Sequence, residues 1–127
     1  MKKDFKTLRI LVVDDNPLIL ISMSRFLKKI ALVKTVSTAE EALDVIKEQH
    51  YDLCFLDVTL PGMTGLDAMK LISKLSPNTK VAIMTGTLLD ETMRQQVDDY
   101  AYIFLEKPFA LSDIEGVAER ATAALNQ

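Results

Sequence analysis

Five short apolar runs alternate with amphipathic segments along the chain, and this alternation constrains the fold more than any other feature. The runs are rich in Val, Ile, Leu and Phe without polar alternation, which is typical of strands buried on both faces of a parallel sheet. Parallel neighbours need helical crossovers, so the sequence predicts an α/β fold, a three-layer doubly wound sandwich. The predicted strands span residues 8–14, 33–36, 52–57, 80–85 and 101–106.

Apolar residues between the runs recur at helical spacing. Pro17 suits a first helical turn, and Thr38 with Glu41 indicates a capping box. In the first helix, Leu18 and Ile21 fall among polar and charged residues. Either Leu18 packs against a neighbouring loop and Ile21 is an ordinary exposed residue, or the two form a patch that docks a partner's helix. The predicted apolar faces comprise Ile19, Met23, Phe26, Leu27 and Ile30; Ala39, Ala42, Leu43 and Ile46; Ala68, Leu71, Ile72 and Leu75; Leu89, Met93 and Val97; Ile114, Val117, Ala118, Ala121 and Leu125.

The composition indicates one globular domain over residues 1–127, with 49% hydrophobic and 26% charged residues. A net charge of −3 and basic runs of at most two residues argue against direct nucleic-acid binding. The apolar stretches are far shorter than the roughly 20 residues that span a bilayer, and the first residues do not form a secretory signal. Cys54, inside an apolar run, is interpreted as a buried structural thiol, which favours a cytoplasmic location.

Acidic side chains, a threonine and a lysine stand where predicted strands end. Asp14 and Asp15 stand at the end of the first strand, Asp57 and Thr85 end the third and fourth, and Lys107 follows the fifth. Parallel strands bring their carboxyl ends to one edge of the sheet, where ligands bind in open α/β folds. Carboxylates about 4 Å apart repel by roughly 4 kcal/mol at an effective dielectric near 20. The cluster therefore predicts a divalent cation, and ligation by oxygen alone favours Mg²⁺.

A carboxylate in such a cluster can also attack phosphorus and form an aspartyl phosphate. That transfer depends mainly on charge neutralisation, which a metal and Lys107 would supply. Pro108 restricts the backbone of Lys107, and a cis bond between them would direct the ammonium toward the pocket. Thr85 is either an ordinary β-branched strand residue or a hydroxyl donor beside Gly86. His50 is interpreted as a surface residue, not as a metal ligand or phosphate carrier.

The chain resembles the receiver domain of bacterial two-component response regulators over about residues 7–125. The resemblance implies a flavodoxin-like fold with strand order 2-1-3-4-5 and an acceptor domain that is not an enzyme, apart from its own phosphorylation and slow autodephosphorylation. It is carried by Asp14-Asp15, by Asp57 with Leu60-Pro61-Gly62-Met63-Thr64-Gly65, by Thr85 after four apolar residues, and by Lys107-Pro108-Phe109.

The resemblance also implies roles for individual residues. Asp57 would accept a phosphoryl group from a sensor histidine kinase or a histidine phosphotransfer domain, and Lys107 would pair with the phosphoryl oxygens. Thr85 and Phe104 would form the switch that alters the affinity for an output partner. Phe104 has no hydroxyl, so its part would rest on packing. The implied Mg²⁺ ligands are Asp14, Asp15, Asp57 and the backbone carbonyl of Thr59.

Other functions stay open at this point. The chain could be the N-terminal regulatory part of a larger response regulator, whose output domain would be a transcription factor or an enzyme. A Mg²⁺-dependent phosphatase with an aspartyl intermediate would need a second acid two residues after Asp57, where Thr59 stands. A flavin carrier lacks support, since no phosphate-binding loop rich in Gly, Ser and Thr follows the first strand. Thr59 and Thr87 flank the expected path of water to the acyl phosphate, which leaves its lifetime open.

Overall fold

The computed structural model describes residues 6–127, so the first five residues of the predicted domain lie outside it. Within this range strands and helices alternate five times, as predicted. All strand pairs are parallel, and the order is β2-β1-β3-β4-β5, which confirms the doubly wound fold. The elements are β1 (Arg9–Val13), α1 (Pro17–Leu27), β2 (Leu32–Val36), α2 (Ala39–Glu48), β3 (Leu53–Asp57), α3 (Gly65–Leu75), β4 (Lys80–Thr85), α4 (Glu91–Tyr100), β5 (Ile103–Glu106) and α5 (Leu111–Leu125).

The helices cover both faces of the sheet, so the core consists of two apolar clusters. On one face α1 and α5 pack against residues such as Ile10 and Phe55, and on the other α2, α3 and α4 pack against residues such as Leu11 and Leu56. Alternate residues of one strand thus enter different clusters, because successive side chains point to opposite faces. Cys54 is fully buried, and burial raises the pKa of its thiol to about 12, as expected for a structural cysteine.

The inner strands β1, β3 and β4 are buried on both faces, as predicted, but the edge strands are not. Residues of β2 alternate between exposed and half-buried before the buried Val36, and β5 is half-buried up to the exposed Glu106. The prediction of full burial was therefore wrong for these two runs. Each edge strand has a neighbouring strand on one side only, and fewer helices pack over it, so its side chains stay partly exposed.

Side-chain caps fix the starts of the helices next to the carboxyl edge of the sheet. Asn16 Oδ1 accepts a hydrogen bond from the Leu18 amide at 3.0 Å, ahead of α1. The Thr38 hydroxyl accepts from the Glu41 amide at 3.1 Å, but the Glu41 carboxylate accepts from the Thr38 hydroxyl at 3.2 Å. The predicted cap is therefore present, although Glu41 bonds a hydroxyl where a capping box would have it bond a backbone amide.

Three residues assigned to apolar helix faces are more exposed than predicted. Ile30 is 45% exposed, because α1 ends at Leu27 and leaves it in the following turn. Leu71 and Leu75 are 37% and 48% exposed at the margin of α3, whose buried face is narrower than the predicted stripe. His50 is exposed, as predicted, with Nε2 3.2 Å from a carboxylate oxygen of Asp52.

Candidate functional site

The sheet brings the predicted site residues to one edge. Asp57 and Thr85 are the last residues of β3 and β4, while Asp14 and Lys107 directly follow β1 and β5. The register pairs Asp57 with Met84 and Thr85 with Glu106, so these strand ends lie nearly level. The arrangement is the crevice at the carboxyl ends of a doubly wound sheet.

Lys107 joins two buried carboxylates. Its Nζ lies 2.7 Å from Asp14 Oδ2 and 3.3 Å from Asp57 Oδ2, and 21% of its side chain is exposed. Asp14 is fully buried and Asp57 is 4% exposed. The Lys107–Pro108 peptide bond is cis, the isomer that the sequence left open. The Lys107 amide donates to the Thr85 carbonyl at 2.7 Å, which ties the start of the β5–α5 connection to the end of β4.

Three carboxylates lie close enough to share a cation. Asp14, Asp15 and Asp57 each offer an oxygen, and these oxygens lie within 4.8 Å of one another. Oxygens that Mg²⁺ holds on opposite sides are about 4.2 Å apart, twice its bond length, so a small contraction would suffice. Asp15 is exposed, which opens the cluster to solvent. The donor set therefore fits Mg²⁺.

Backbone amides orient two of these carboxylates. The Asn16 amide donates to Asp14 Oδ1 at 2.9 Å, and the Thr59 amide donates to Asp57 Oδ1 at 3.2 Å. These bonds leave the Oδ2 atoms of both aspartates to Lys107. Thr59 thus meets the site through its amide, and the metal-ligand role of its carbonyl stays a prediction.

The charges in the pocket shift two pKa values. The pKa of Asp57 is raised, first by burial and then by the Asp14 charge, against the hydrogen bond from Thr59 and the charge of Lys107. Burial lowers the pKa of Lys107, but its hydrogen bond to Asp14 and the charges of both aspartates outweigh burial, so this pKa is raised. The lysine stays protonated, while the negative charge of Asp57 is incompletely neutralised.

Thr85 is buried and directs its hydroxyl to its own loop. The hydroxyl donates to the Thr87 carbonyl at 3.0 Å and accepts from the Thr87 amide at 3.1 Å. A Cβ added to Gly86 would lie 3.7 Å from the Lys107 side chain, an ordinary contact, so packing does not demand glycine here. The hydroxyl must give up its hydrogen bond to the Thr87 carbonyl before it can donate to a group on Asp57.

Phe104 is half-buried between the site and α4. It borders a cavity of about 130 Å³ that also touches Thr85, Gly86 and Lys107. A second cavity of about 100 Å³ separates it from Leu89, Arg94, Val97 and Asp98. The ring therefore has space beside it toward both the loop after β4 and α4.

The loop between β3 and α3 contains positions whose roles the sequence reasoning missed. A Cβ on Gly65 would overlap the Asp57 carbonyl, so only glycine lets α3 begin this close to the end of β3. Gly62 has a φ of +77°, which favours glycine. Glu40 of α2 accepts from the Met63 amide at 3.3 Å. Both glycines belong to the segment after Asp57 that carries the family resemblance. No local signal in the sequence identifies Glu40, which lies 23 residues from Met63.

The two residues considered for docking lie on the outer surface of α1. Leu18 is 72% and Ile21 is 50% exposed. They take no part in the hydrogen bonds and ion pairs of the acidic pocket, although α1 starts three residues after Asp14. The structure therefore leaves both available to a partner beside the pocket.

Comparison with known proteins identifies relatives over most of the chain. The model of the response regulator receiver domain family matches residues 10–119. The chain is 28% identical to chemotaxis protein CheY of Thermotoga maritima, over 84% of this chain and 90% of that protein. It is 32% identical to the sensory/regulatory protein RpfC of Xanthomonas campestris over 81% of this chain, which is only 15% of RpfC.

A solved structure supports the same relationship. A CheY-like response regulator receiver domain protein from Methanospirillum hungatei has a TM-score of 0.83 and 26% identity, and the match covers 94% of this chain and 99% of that one. In the described part of the chain, every helix is too short or too polar to cross a bilayer.

Proposed function

Since the chain belongs to the family of response regulator receiver domains, we propose that Asp57 accepts a phosphoryl group and thereby changes the affinity of the domain for a partner. The phosphodonor would be a sensor histidine kinase or a histidine phosphotransfer domain, in the cytoplasm. The observation that carries the proposal is the Lys107 ammonium between buried Asp14 and Asp57, at 2.7 and 3.3 Å. A half-buried cation between two buried acids, beside the exposed Asp15, suits an anion that arrives at Asp57.

In the transfer step, a carboxylate oxygen of Asp57 attacks phosphorus while the bond from phosphorus to the histidine nitrogen breaks. The imidazole leaves with the electron pair of that bond, and the phosphoryl group becomes an acyl phosphate. Bound Mg²⁺, held by Asp14, Asp15, Asp57 and the Thr59 carbonyl, would supply further charge neutralisation. Lys107 balances charge on the incoming oxygens, since transfer of this kind depends on electrostatics more than on covalent help.

The phosphoryl group adds a charge of about −1.5 to −2 and new acceptor oxygens. The Thr85 hydroxyl would exchange its bonds to Thr87 for a bond to one of these oxygens, which draws the loop after β4 toward Asp57. The space beside Phe104 lets the ring move inward as the loop shifts. The surface of α4, β5 and α5 would then report phosphorylation to an output partner.

Incubation with Mg²⁺ and phosphoramidate tests this function. Intact mass should rise by one phosphoryl group, the adduct should be labile to alkali, and peptide mapping should place it on Asp57. Asp57→Asn should remove the label, whereas Asp52→Asn, a half-buried carboxylate at the opposite edge of the sheet, should keep it. An unmodified protein, or labelling that survives Asp57→Asn, would show that the proposed function is wrong.

A larger protein is a second possibility favoured by the relatives. The chain spans 19% of transcription factor SKN7 of Saccharomyces cerevisiae and 15% of RpfC. Receiver domains thus occur within much longer regulators and sensors, and the output of such a protein would lie outside residues 1–127. The full open reading frame distinguishes a stand-alone relay protein from a regulatory portion.

A further inference from the structure

A carboxylate of α2 contacts the loop that follows Asp57. Glu40 Oε1 accepts a hydrogen bond from the Met63 amide at 3.3 Å, in the loop between β3 and α3. A Cβ on Gly62 would lie 3.4 Å from both carboxylate oxygens, so the carboxylate lies directly against the turn of this loop. The contact therefore joins the start of one helix to the loop before the next.

Glu40 bonds outside its own helix, unlike the glutamate beside it. A glutamate in the first turn of a helix ordinarily stabilises the start of that helix. Glu41 does so, since its carboxylate accepts hydrogen bonds from the hydroxyls of Ser37 and Thr38 at 3.3 and 3.2 Å. Glu40 stands in the same turn, yet its carboxylate bonds the loop after β3. The two adjacent glutamates therefore hold different parts of the molecule in place.

The loop between β3 and α3 is attached at several points. At its ends, the Val58 amide donates to a carbonyl of β4, and the Gly65 amide donates to the Val58 carbonyl, each at 2.9 Å. Between these bonds the side chain of Leu60 is buried in the core. Packing of a side chain restricts where a loop lies, whereas a hydrogen bond also restricts the direction of a peptide group. The bond from Met63 to Glu40 supplies such a restraint.

The position of this loop determines where the backbone of Thr59 meets the pocket. The Thr59 amide donates to Asp57 Oδ1 at 3.2 Å, and its carbonyl is the proposed Mg²⁺ ligand. A backbone carbonyl has no side-chain torsion to adjust, so the path of the chain alone sets its direction. Groups that orient a metal ligand from outside the ligand shell typically change metal affinity by roughly 10- to 100-fold.

We propose that Glu40 is a positioning residue for the metal site, because its hydrogen bond to Met63 fixes the loop that presents the Thr59 carbonyl. Among the described residues, the carboxylates close enough to share a cation are those of Asp14, Asp15 and Asp57, so Glu40 acts through the loop and not as a ligand. The inference concerns the Mg²⁺ of the proposed function and in that respect rests on it.

Three variants test the role of Glu40. Glu40→Ala removes the acceptor and the charge, Glu40→Gln removes the charge but keeps an acceptor oxygen, and Glu41→Ala removes the same charge from the adjacent residue as a matched control. Calorimetric titration with MgCl₂ should give a Kd about five- to tenfold higher for Glu40→Ala, as expected for the loss of one hydrogen bond. The Kd should rise less than about threefold in Glu40→Gln and less than about twofold in Glu41→Ala.

Amide hydrogen exchange of the metal-free protein gives a second measurement. Exchange at the Met63 amide should be slow in the unmodified protein and about tenfold faster in Glu40→Ala, because the amide loses its acceptor. Exchange at this amide should be unchanged in Glu41→Ala. Fast exchange at Met63 in the unmodified protein would overturn the proposal.

Other outcomes would also overturn it. If Glu40→Gln weakens Mg²⁺ binding as much as Glu40→Ala, the cause is the charge of Glu40 and not its hydrogen bond. An equal loss in Glu41→Ala would indicate a general effect on α2, and an unmodified protein that binds no Mg²⁺ would remove the metal site itself. Neither measurement contains a phosphodonor, so normal Mg²⁺ binding without labelling of Asp57 would contradict the proposed function alone.

Discussion

The charge of Asp57 should destabilise the folded protein whenever no metal ion is bound, and the substitution Asp57→Asn tests this. At an effective dielectric of 20, Lys107 at 3.3 Å attracts the Asp57 carboxylate by about 5 kcal/mol. Asp14, within 4.8 Å, repels it by about 3.5 kcal/mol, and exposed Asp15 adds a smaller, solvent-screened repulsion. The attraction and the repulsions nearly cancel. The cost of burying the carboxylate therefore decides whether the Asp57 charge stabilises or destabilises the fold. We expect Asn at this position to stabilise the metal-free fold by about 1–2 kcal/mol, the usual size of a single-residue effect.

The assay is thermal and urea unfolding in EDTA and in Mg²⁺. In EDTA, Asp57→Asn should raise Tm by about 4–8 °C, while Asp44→Asn, an exposed change in α2, should stay within about 0.5 kcal/mol of the unmodified protein. Mg²⁺ stabilises a fold that binds it by about 2.7 kcal/mol at 100 times Kd. The variant lacks one of the three carboxylates proposed to hold Mg²⁺ and should gain less stability from the metal, so the difference in stability narrows or reverses. A variant that is no more stable in EDTA, or that gains equally from Mg²⁺, refutes the reasoning.

The raised pKa of Asp57 fixes the direction in which the stability of the fold changes with pH. Because the pKa of Asp57 is raised in the folded state, the folded protein binds a proton more tightly than the unfolded chain. The unmodified protein therefore loses stability as the pH rises from the unfolded carboxyl pKa through the raised one. The advantage of Asp57→Asn should be present in EDTA at neutral pH and disappear as the pH falls through that range. An advantage that persists at low pH would indicate a packing effect instead.

Further predictions concern the backbone, the switch and the docking face. Gly65→Ala should destabilise the fold in urea by about 2–4 kcal/mol, since its Cβ would overlap the end of β3. Gly116→Ala in α5, where a Cβ meets nothing within 4 Å, should stabilise it by about 0.5–1 kcal/mol, and equal effects would contradict the packing argument. Thr85→Ala should still be labelled by phosphoramidate, but hydrogen exchange in the loop after β4 should no longer change on phosphorylation, as it does in Thr85→Ser. Leu18→Asp or Ile21→Asp should lower the rate of transfer from a protein phosphodonor about tenfold relative to the phosphoramidate rate, and an equal fall in both rates would indicate damage to the pocket.

The sequence predicted the class of fold because each inner strand and each helix face is a local pattern. The runs that become β1, β3 and β4 carry apolar residues on both faces, and this alone distinguishes them from alternating strands. The strand order came from the family resemblance, because no local pattern records which strands become neighbours. The errors at β2 and β5 follow from this, since burial of an apolar run depends on whether it lies inside or at the edge of the sheet.

In the candidate site, the positions of the residues could be predicted from the sequence, but the contacts of their side chains could not. Topology alone places Asp14, Asp57, Thr85 and Lys107 at one edge, so their proximity could be predicted from strand ends. The partner that each side chain prefers could not, because it results from competition among groups far apart in sequence. Lys107 lies closer to Asp14, 93 residues away, than to Asp57. Thr85 bonds Thr87 in its own loop.

These two preferences together describe how the pocket is set before phosphorylation. Lys107 and Thr85, the groups expected to bind the phosphoryl oxygens, are both engaged elsewhere, with Asp14 at 2.7 Å and with the Thr87 backbone at 3.0 and 3.1 Å. An incoming phosphoryl group must therefore exchange existing hydrogen bonds for new ones, and each exchange contributes only a small net free energy. A small net change would keep the two proposed states of the loop close in energy, so phosphorylation of Asp57 would shift the population between them.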